Sequence, residues 1–301
     1  MSFSSEIKKE IASITPDNQC CVNAKCYGML LFSSKVSKKS IVFKTELFET
    51  AEHFVHLVKS ACDVALKIST PATARGMYSV NVTDETTCSK ILDAFDHSGD
   101  EVHLRINRGN IDNECCAKWF VSGAFLVCGS VTDPQKSYHA EFKVPKKHLS
   151  DDHAVLIGES IATPKISLRK SSNILYYKES EKIEELLTLV GSVRGVFEFM
   201  NVKIVKDMRN HINRTTNCVT ANITKTADAF RKQKESIDII EEKVGLEALP
   251  PDLYEVALFR KDNEFATLSE LGQMLTPPLS RSGVSHRLKK IVEYADKLAK
   301  S

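Results

Sequence analysis

The sequence predicts an α+β protein in which two similar halves precede an all-helical C-terminal region. Two observations support this fold class: a self-similarity at an offset of about 95 residues, and the same order of helix-like and strand-like patterns after each copy. A third is the Pro250-Pro251 pair, after which only helical periodicity follows. The expected units are two halves at 1–110 and 111–205, a basic helical linker at 206–245 and a helix-turn-helix domain at 246–301.

The two copies begin with the vicinal pairs Cys20-Cys21 and Cys115-Cys116, and Gly28 in the first copy falls on Gly123 in the second. Each glycine opens an apolar stretch that ends in small residues. Because glycine lets helix backbones approach closely, we expect the halves to pair through these two helices about a pseudo-two-fold axis. Identities outside the opening helices are few, so a chance similarity is the alternative.

Downstream of each opening helix the pattern predicts the order α-β-β-α-β-β-α, with a short first strand directly after the opening helix. The remaining helix-like stretches are 49–61, 84–95, 148–160 and 179–190, and the strand-like stretches are 41–47, 64–69, 77–82, 138–144, 163–169 and 173–178.

Composition favours a globular cytoplasmic protein. With 42% hydrophobic residues in 301, about two domains can each bury a core. The start of the chain lacks a hydrophobic signal core, and no apolar run reaches membrane-spanning length. Nine cysteines without a secretory signal are typical of free thiols that fill cores. Neither vicinal pair forms Cys-x-x-Cys, so we expect no metal and no cofactor.

Basic charge is concentrated in the C-terminal third, although the net charge of the whole chain is only +2. Residues 203–234 hold eight Lys or Arg against two Asp, on predicted helices at 192–217 and 221–243, the second capped by Thr220, Asn222 or Thr224. A solvated helix face is the plain alternative to DNA contact. The candidate phosphate contacts are Lys206, Arg209, Arg214, Lys225, Arg231 and Lys232.

Three further helices are predicted after Pro251. The first has Asp252 as its N-cap and an apolar face that includes Arg260. The second starts in a capping box at Thr267-Leu-Ser-Glu270. The third follows a break at 276–280, is capped by Ser280 or Ser282, and buries Val284, Leu288, Ile291, Ala295 and Leu298.

The exposed side of the last helix has the layout of a recognition helix, because polar and basic residues lie in its first turns, where they can meet base edges and phosphates. The candidate DNA-binding residues are Thr267, Ser269, Gln273, Ser280, Arg281, Ser282, Ser285, His286, Arg287, Lys289 and Lys290. Substitution of Ser285 or Arg287 is expected to remove sequence specificity.

The segment 122–131 resembles the LAGLIDADG motif of homing endonucleases. The resemblance implies a saddle-shaped pair of α+β halves over DNA, and in those nucleases one carboxylate from each motif helix holds a divalent metal. Here Ser33 and Cys128 stand at these positions, with Leu31 and Leu126 at the neighbouring ones. Because a hydroxyl and a thiol do not replace hard carboxylate ligands, we expect no cleavage activity and no catalytic residues.

The chain as a whole resembles the WhiA family of bacterial regulators. The segments that carry the resemblance are 204–210, 213–214, 217–218, 220–222, 244–246, 268–272 and 280–291, together with the motif helices and the two Cys-Cys starts. The family implies a degenerate homing-endonuclease fold joined to a helix-turn-helix, with a role in cell division, chromosome segregation or sporulation. A nucleoid-associated, double-stranded DNA-binding regulator is therefore expected, without a small-molecule substrate.

Two other functions are considered. A metal-dependent nuclease is disfavoured by the missing carboxylates. A protein-interaction platform, whose duplicated domain recruits division or transcription machinery, stays open. The turn at 69–76 and the acidic stretch at 93–101 depart from the family pattern and put groove binding by the first half in doubt.

Overall fold

The computed structural model describes residues 2–72 and 76–300. Three residues of the predicted turn at 69–76, positions 73–75, lie outside the described residues. The chain divides into two compact units, Met1–Asp207 and Met208–Ser301. Among the helices that are described, none is both long enough and apolar enough to cross a membrane.

The first unit is a mixed α+β domain. Its helices are α1 (Phe3–Ala12), α2 (Gln19–Leu31), α3 (Phe48–Cys62), α4 (Glu85–Asp93), α5 (Glu114–Cys128), α6 (Lys147–Ser160) and α7 (Ser180–Val190), with the start of α8 (Val193–Val244). Its strands are β1 (Lys35–Ser37), β2 (Ser40–Thr45), β3 (Tyr78–Val82), β4 (Gly129–Val131), β5 (Ala140–Val144), β6 (Lys165–Arg169) and β7 (Ser172–Tyr177). The predicted α+β fold class is confirmed.

The second half has the predicted order α-β-β-α-β-β-α, from α5 to α7. Its four strands form one antiparallel sheet in the order β4-β5-β7-β6. Inward residues such as Phe142, Val144 and Leu175 are buried beneath α5 and α6. The alternation of apolar and polar residues in β5 thus reflects one covered face, whereas every residue of β6 is exposed.

The first half has one strand fewer than predicted, because its sheet in the described part of the chain is β1-β2-β3. The prediction of a strand at 64–69 is wrong. Burial does alternate there, with Val64 buried and its neighbours exposed, so the segment is extended. Only Ser69 pairs with the sheet, through two backbone bonds with Ser79 of 2.7 and 3.1 Å. Alternation of apolar and polar residues shows that one face of a segment is covered. It does not show that the segment is hydrogen-bonded to a neighbouring strand.

Helices α2 and α5 pack directly against each other, and this contact, here called the seam, joins the two halves. A Cβ added at Gly28 would lie 2.2 Å from the Phe120 carbonyl oxygen, and one at Gly123 would lie 2.2 Å from the Lys25 carbonyl oxygen. Since Phe120 is 95 residues after Lys25, the two contacts are the same contact seen from each half. The predicted close approach about a pseudo-two-fold axis is confirmed.

Helix α1 was not anticipated from the sequence, although Phe3, Ile7 and Ile11 have helical spacing and are buried in the unit's core. The Glu10 carboxylate accepts bonds from Ser192 Oγ at 2.6 Å and from the Arg194 amide at 2.8 Å. These bonds fasten the start of the chain to the start of α8.

The second unit is all-helical. It contains the rest of α8, then α9 (Pro251–Asp262), α10 (Leu268–Met274) and α11 (Arg281–Lys300), with a short 3-10 turn at Leu246–Ala248. The core consists of Ile237, Ile240, Leu246, Leu249, Leu253, Val256, Ala257, Leu271, Leu275, Val284, Leu288, Ile291 and Ala295. The predicted apolar faces of the last three helices are confirmed.

Two local predictions for this unit are wrong. A break between helices at 217 and 221 was expected, whereas α8 is continuous from Val193 to Val244. No proline or glycine occurs between 196 and 244, and a polar residue such as Thr226 bonds the carbonyl of Asn222 within the helix instead of starting a new one. Helix α9 begins two residues earlier than predicted, with Pro250 and not Asp252 at the N-cap.

Candidate nucleic-acid interface

Helix α10 starts in the predicted capping box. The Glu270 amide donates to Thr267 Oγ1 at 3.3 Å, and the Thr267 amide donates to Glu270 Oε2 at 2.7 Å. The bond from the Thr267 amide, followed by the bond from the Thr267 hydroxyl, lowers the pKa of the Glu270 carboxyl. The box leaves Ser269 and Gln273 exposed on the outer face of α10, as predicted.

The connection between α10 and α11 is tight. The Leu279 amide donates to the Gly272 carbonyl at 2.8 Å, and a Cβ at Gly272 would lie 2.2 Å from the Leu279 carbonyl oxygen. Helix α11 then begins at Arg281, and the Gly283 amide donates to Ser280 Oγ at 3.2 Å. Of the two predicted caps for this helix, Ser280 makes the bond. The break therefore sets the angle at which α11 leaves α10.

Helix α11 presents polar and basic side chains on the side opposite its buried face. Val284, Leu288, Ile291 and Ala295 are all at most 1% exposed, which fixes the helix against α9 and α10. The exposed residues of its first three turns are Arg281, Ser282, Ser285, His286, Lys289 and Lys290. This is the layout that a helix needs to enter a major groove with its N-terminal half.

Arg287 is placed differently from its predicted partners. It is half-buried, donates to the Asp252 carbonyl oxygen at 3.2 Å, and lies 3.7 Å from the Asp252 carboxylate. Its guanidinium is thus held against the start of α9 rather than directed outward with Ser285. The sequence could not show this, because the orientation depends on where α9 packs.

One cleft of about 510 Å³ brings together residues that the sequence had assigned to separate groups. Lys225 of α8, Thr267 and Ser269 at the start of α10, and Arg281 at the start of α11 all line it. The N-termini of two helices and two cations therefore share one concave surface, which suits an anionic group.

Arg260 also lines this cleft and was not among the predicted site residues. Only 2% exposed, it donates to Gln233 Oε1 at 2.9 Å and to the Ala266 carbonyl at 2.7 Å, and it stacks 4.7 Å from the ring centre of Phe230. It links α8, α9 and the loop before Thr267. A buried arginine at a core position of the predicted helix was the signal that could have identified it.

Some basic side chains of α8 already bond to other groups of the protein, and the others are exposed. Lys206 donates to the Pro134 carbonyl at 2.7 Å and lies over the ring of Tyr138, so its ammonium is already bound within the first unit. Arg231 pairs with Asp228 at 3.2 Å on the surface. The remaining candidates, Arg209, Arg214, Lys225 and Lys232, are exposed.

The nuclease-like positions are unsuited to magnesium. Ser33 Oγ donates to the Met29 carbonyl at 2.9 Å, and Cys128 Sγ donates to the Ala124 carbonyl at 3.2 Å, so both side chains turn back onto their own helices. Burial raises the pKa of the Cys128 thiol to about 12, which keeps it protonated, and the ammonium of Lys8 lies nearby. Among the described residues, the carboxylates form no cluster that could hold a metal ion.

Known proteins match the whole chain. The family model for the WhiA LAGLIDADG-like domain matches residues 117–209, and that for the WhiA C-terminal HTH domain matches residues 212–295. A probable cell division protein WhiA from Alkaliphilus oremlandii is 37% identical over 317 residues, covering 99% of this chain and 98% of the relative. The chain belongs to the WhiA family.

Other WhiA proteins agree with this assignment. The probable cell division protein WhiA from Alkaliphilus metalliredigens is 34% identical over 316 residues and covers 99% of this chain and 98% of the relative. The crystal structure of full-length DUF199/WhiA from Thermatoga maritima has 24% identity and a TM-score of 0.61, with 99% of each chain covered. The latter shows the shared fold. The expectation of a WhiA-like fold is confirmed.

Proposed function

We propose that this WhiA-family chain is a sequence-specific double-stranded DNA-binding regulator. Its roles would lie in cell division, chromosome segregation or sporulation, within the cytoplasm and on the nucleoid. The relatives are named probable cell division proteins, which supports the first of these roles. The observation that carries the proposal is the exposed face of α11, which continues into the cleft that holds Lys225, Thr267 and Arg281.

The two parts of this surface suit different parts of duplex DNA. Ser285 and His286 lie exposed in the second turn of α11, where side chains of a groove-entering helix meet base edges. Lys289 and Lys290 flank them, and the cleft offers a place for a phosphate beside Lys225. Arg287 would act indirectly, by holding α11 against Asp252.

The test is duplex binding by the full chain, measured by fluorescence anisotropy over a range of salt concentrations. Lys289→Ala and Lys290→Ala should each weaken binding to all sequences and reduce the slope of log K against log salt by about 1. Lys297→Ala, an exposed lysine in the last turns of the same helix, is the matched control and should leave the slope unchanged. Equal effects of all three substitutions would contradict the proposed docking surface.

Specificity is tested separately, with a site selected from random duplexes. Ser285→Ala and His286→Ala should lower affinity for the selected site by about 1–3 kcal/mol while leaving affinity for scrambled duplex unchanged. If both variants keep the full discrimination, α11 is not the reading helix.

We also propose that the chain does not cleave DNA. The support is the pair Ser33 and Cys128, whose side chains are bonded to their own helices. Supercoiled plasmid incubated with the protein and Mg²⁺ should stay intact. Nicking that disappears on substitution of residues near Ser33 or Cys128 would overturn this part of the proposal.

A protein-interaction role for the duplicated domain is the second candidate, favoured by strand β6. This strand is at the edge of its sheet and is exposed along its whole length, with Ile166 at 53% and Leu168 at 73%. The cations at its two ends are paired, Lys165 with Glu179 at 2.6 Å and Arg169 with Glu141 at 3.5 Å. These ion pairs disfavour phosphate contact. An edge strand with apolar side chains suits strand addition by a protein partner.

Paired substitutions separate this role from DNA binding. An Ile166→Ser, Leu168→Ser variant, which leaves the charge unchanged, should bind duplex as the wild type does and should lose any partner that co-purifies with the wild-type chain. A Lys289→Ala, Lys290→Ala variant should behave in the opposite way. Loss of DNA binding in the strand variant would assign β6 to the DNA interface instead.

A further inference from the structure

The two vicinal cysteine pairs, which the sequence analysis took separately, meet at one end of the seam. Cys20 and Cys21 lie in the first turn of α2, and Cys115 and Cys116 lie in the first turn of α5. Their four Sγ atoms all lie within 4.8 Å of one another. Since each pair precedes its seam glycine by the same number of residues, the cluster straddles the pseudo-two-fold axis. The sequence analysis treated the two pairs as separate core-filling residues and did not predict that they lie together.

The spacing of the sulfurs is that of a tetrahedral thiolate site. Cys20 Sγ lies 3.9 Å from Cys21 Sγ and 4.0 Å from Cys115 Sγ, and Cys115 Sγ lies 4.0 Å from Cys116 Sγ. A zinc ion with Zn–S bonds of about 2.3 Å requires sulfur–sulfur edges of about 3.8 Å. A disulfide would require about 2.05 Å. Since the sulfurs lie at most 4.8 Å apart, sulfur–sulfur separations need to shorten by at most about 1 Å to hold zinc.

The cluster lies where two helices begin. All four residues lie at helix N-termini, where the positive end of the helix dipole and free amides stabilise negative sulfur. The helices begin after Asn18 and Asn113, and neither asparagine side chain caps its helix. The Cys21 and Cys116 amides donate to the backbone carbonyls of Asn18 and Asn113 at 3.0 and 2.8 Å. Cys21 and Cys116 are buried and the other two are half-buried, which shields an ion while leaving a path for entry.

We propose that Cys20, Cys21, Cys115 and Cys116 form a structural zinc site that ties the two halves together at the seam. Four sulfur ligands and a tetrahedral arrangement are the donor set of closed structural zinc sites, which leave no position for a substrate. The ion would release thiol protons on binding and replace four free thiols by one cross-link between segments about 95 residues apart. Its effect is on the stability of the first unit.

The test is the metal content and thiol reactivity of the full chain purified under reducing conditions. About one zinc ion per chain should remain bound after gel filtration, and it should be released as a mercurial reagent titrates the cysteines. Replacement by Co²⁺ should give the intense visible bands of a tetrahedral thiolate site. These spectra decide the question on wild-type protein, even if cluster variants fold poorly.

Variants provide the contrast. Cys20→Ser combined with Cys115→Ser should lose the bound zinc and the Co²⁺ bands, and should lower the thermal midpoint reported by Trp119 of α5. Cys218→Ser, which changes an exposed cysteine on α8, is the matched control and should keep the bound zinc, the Co²⁺ bands and the thermal midpoint. Three results would overturn the proposal: zinc-free wild type with freely reactive cluster thiols, equal zinc in the double variant, or a disulfide between Cys20 and Cys115 in the reduced preparation.

Discussion

Replacement of Gly28 by alanine tests the seam directly. The new Cβ would lie 2.2 Å from the Phe120 carbonyl oxygen and 3.0 Å from the Ala124 amide nitrogen. Carbon–oxygen contacts across helix interfaces are normally about 3.3 Å or more, so α2 and α5 must separate by roughly 1 Å. Both opposing atoms belong to the backbone, and no side-chain rotation can relieve the contact.

The expected loss of stability follows from this geometry. Overpacking of a core costs about 1–3 kcal/mol, and the rigid backbone places this case at the upper end. The better helix propensity of alanine offsets up to about 1 kcal/mol. We expect a net loss of about 2–3 kcal/mol in the first unit, or roughly 5–10 °C in its thermal midpoint, since 1 kcal/mol corresponds to about 2–4 °C at this size.

The assay uses Trp119, the only tryptophan of the chain, which lies in α5 and reports on the first unit alone. Gly123→Ala should cause a loss of similar size, because its Cβ would lie 2.2 Å from the Lys25 carbonyl oxygen. Gly109→Ala is the control within the same unit, since its Cβ would meet only a side-chain atom, Asn107 Oδ1, at 3.3 Å. An unchanged midpoint in Gly28→Ala, with full helix content, would refute the close packing at the seam.

Three further outcomes are expected. Burial lowers the pKa of His153 from 6.5 to about 3, and both ring nitrogens lack a hydrogen-bond partner among the described residues, so the folded state binds fewer protons than the unfolded state below pH 6.5. Burial lowers the pKa of His53 to about 3 as well, so His153→Leu should remove roughly 2 kcal/mol of the stability that the first unit loses from pH 7 to pH 5, and the remainder should persist in urea titrations. Arg260→Met should destabilise the second unit by roughly 2–4 kcal/mol, because Gln233 and the Ala266 carbonyl lose their donor, and Arg260→Lys should not rescue the calorimetric midpoint. Lys225→Ala should reduce the salt slope of duplex binding by about 1, whereas Lys206→Ala, whose ammonium is bound to Pro134, should leave it unchanged; a reversed result would move the phosphate site to the first unit.

Much of the fold could be predicted because its signals are local. The capping box at Thr267 needs only four consecutive residues, and the seam glycines needed only a repeat offset. The extended segment at 64–69 could not be resolved, because its pattern of burial is the same whether or not a strand pairs with it. The continuous helix α8 was missed because polar residues such as Asn222 suggest a cap, although no helix breaker accompanies them.

The candidate site was predicted by residue type but not by orientation. Exposure of Ser285, His286 and Lys289 follows from the period of the buried face of α11. The engagement of Arg287 by Asp252 and of Lys206 by Pro134 depends on neighbouring elements that no single-helix pattern contains. The cysteine cluster did have a signal. Two pairs at equal distance from two glycines that meet must themselves lie near one another.

The reciprocal contact of Gly28 and Gly123 limits how far the sequences of the two opening helices can diverge. A backbone carbonyl of each helix occupies the space that a side chain at the other helix's glycine would need. Two identical subunits make the same reciprocal contact, which here lies within one polypeptide. Within the described residues the two sheets differ in strand number, so the elements away from the seam do not match as closely. A larger residue at Gly28 or Gly123 would therefore need a compensating change in the opposite helix. The central positions of the two copies are constrained together.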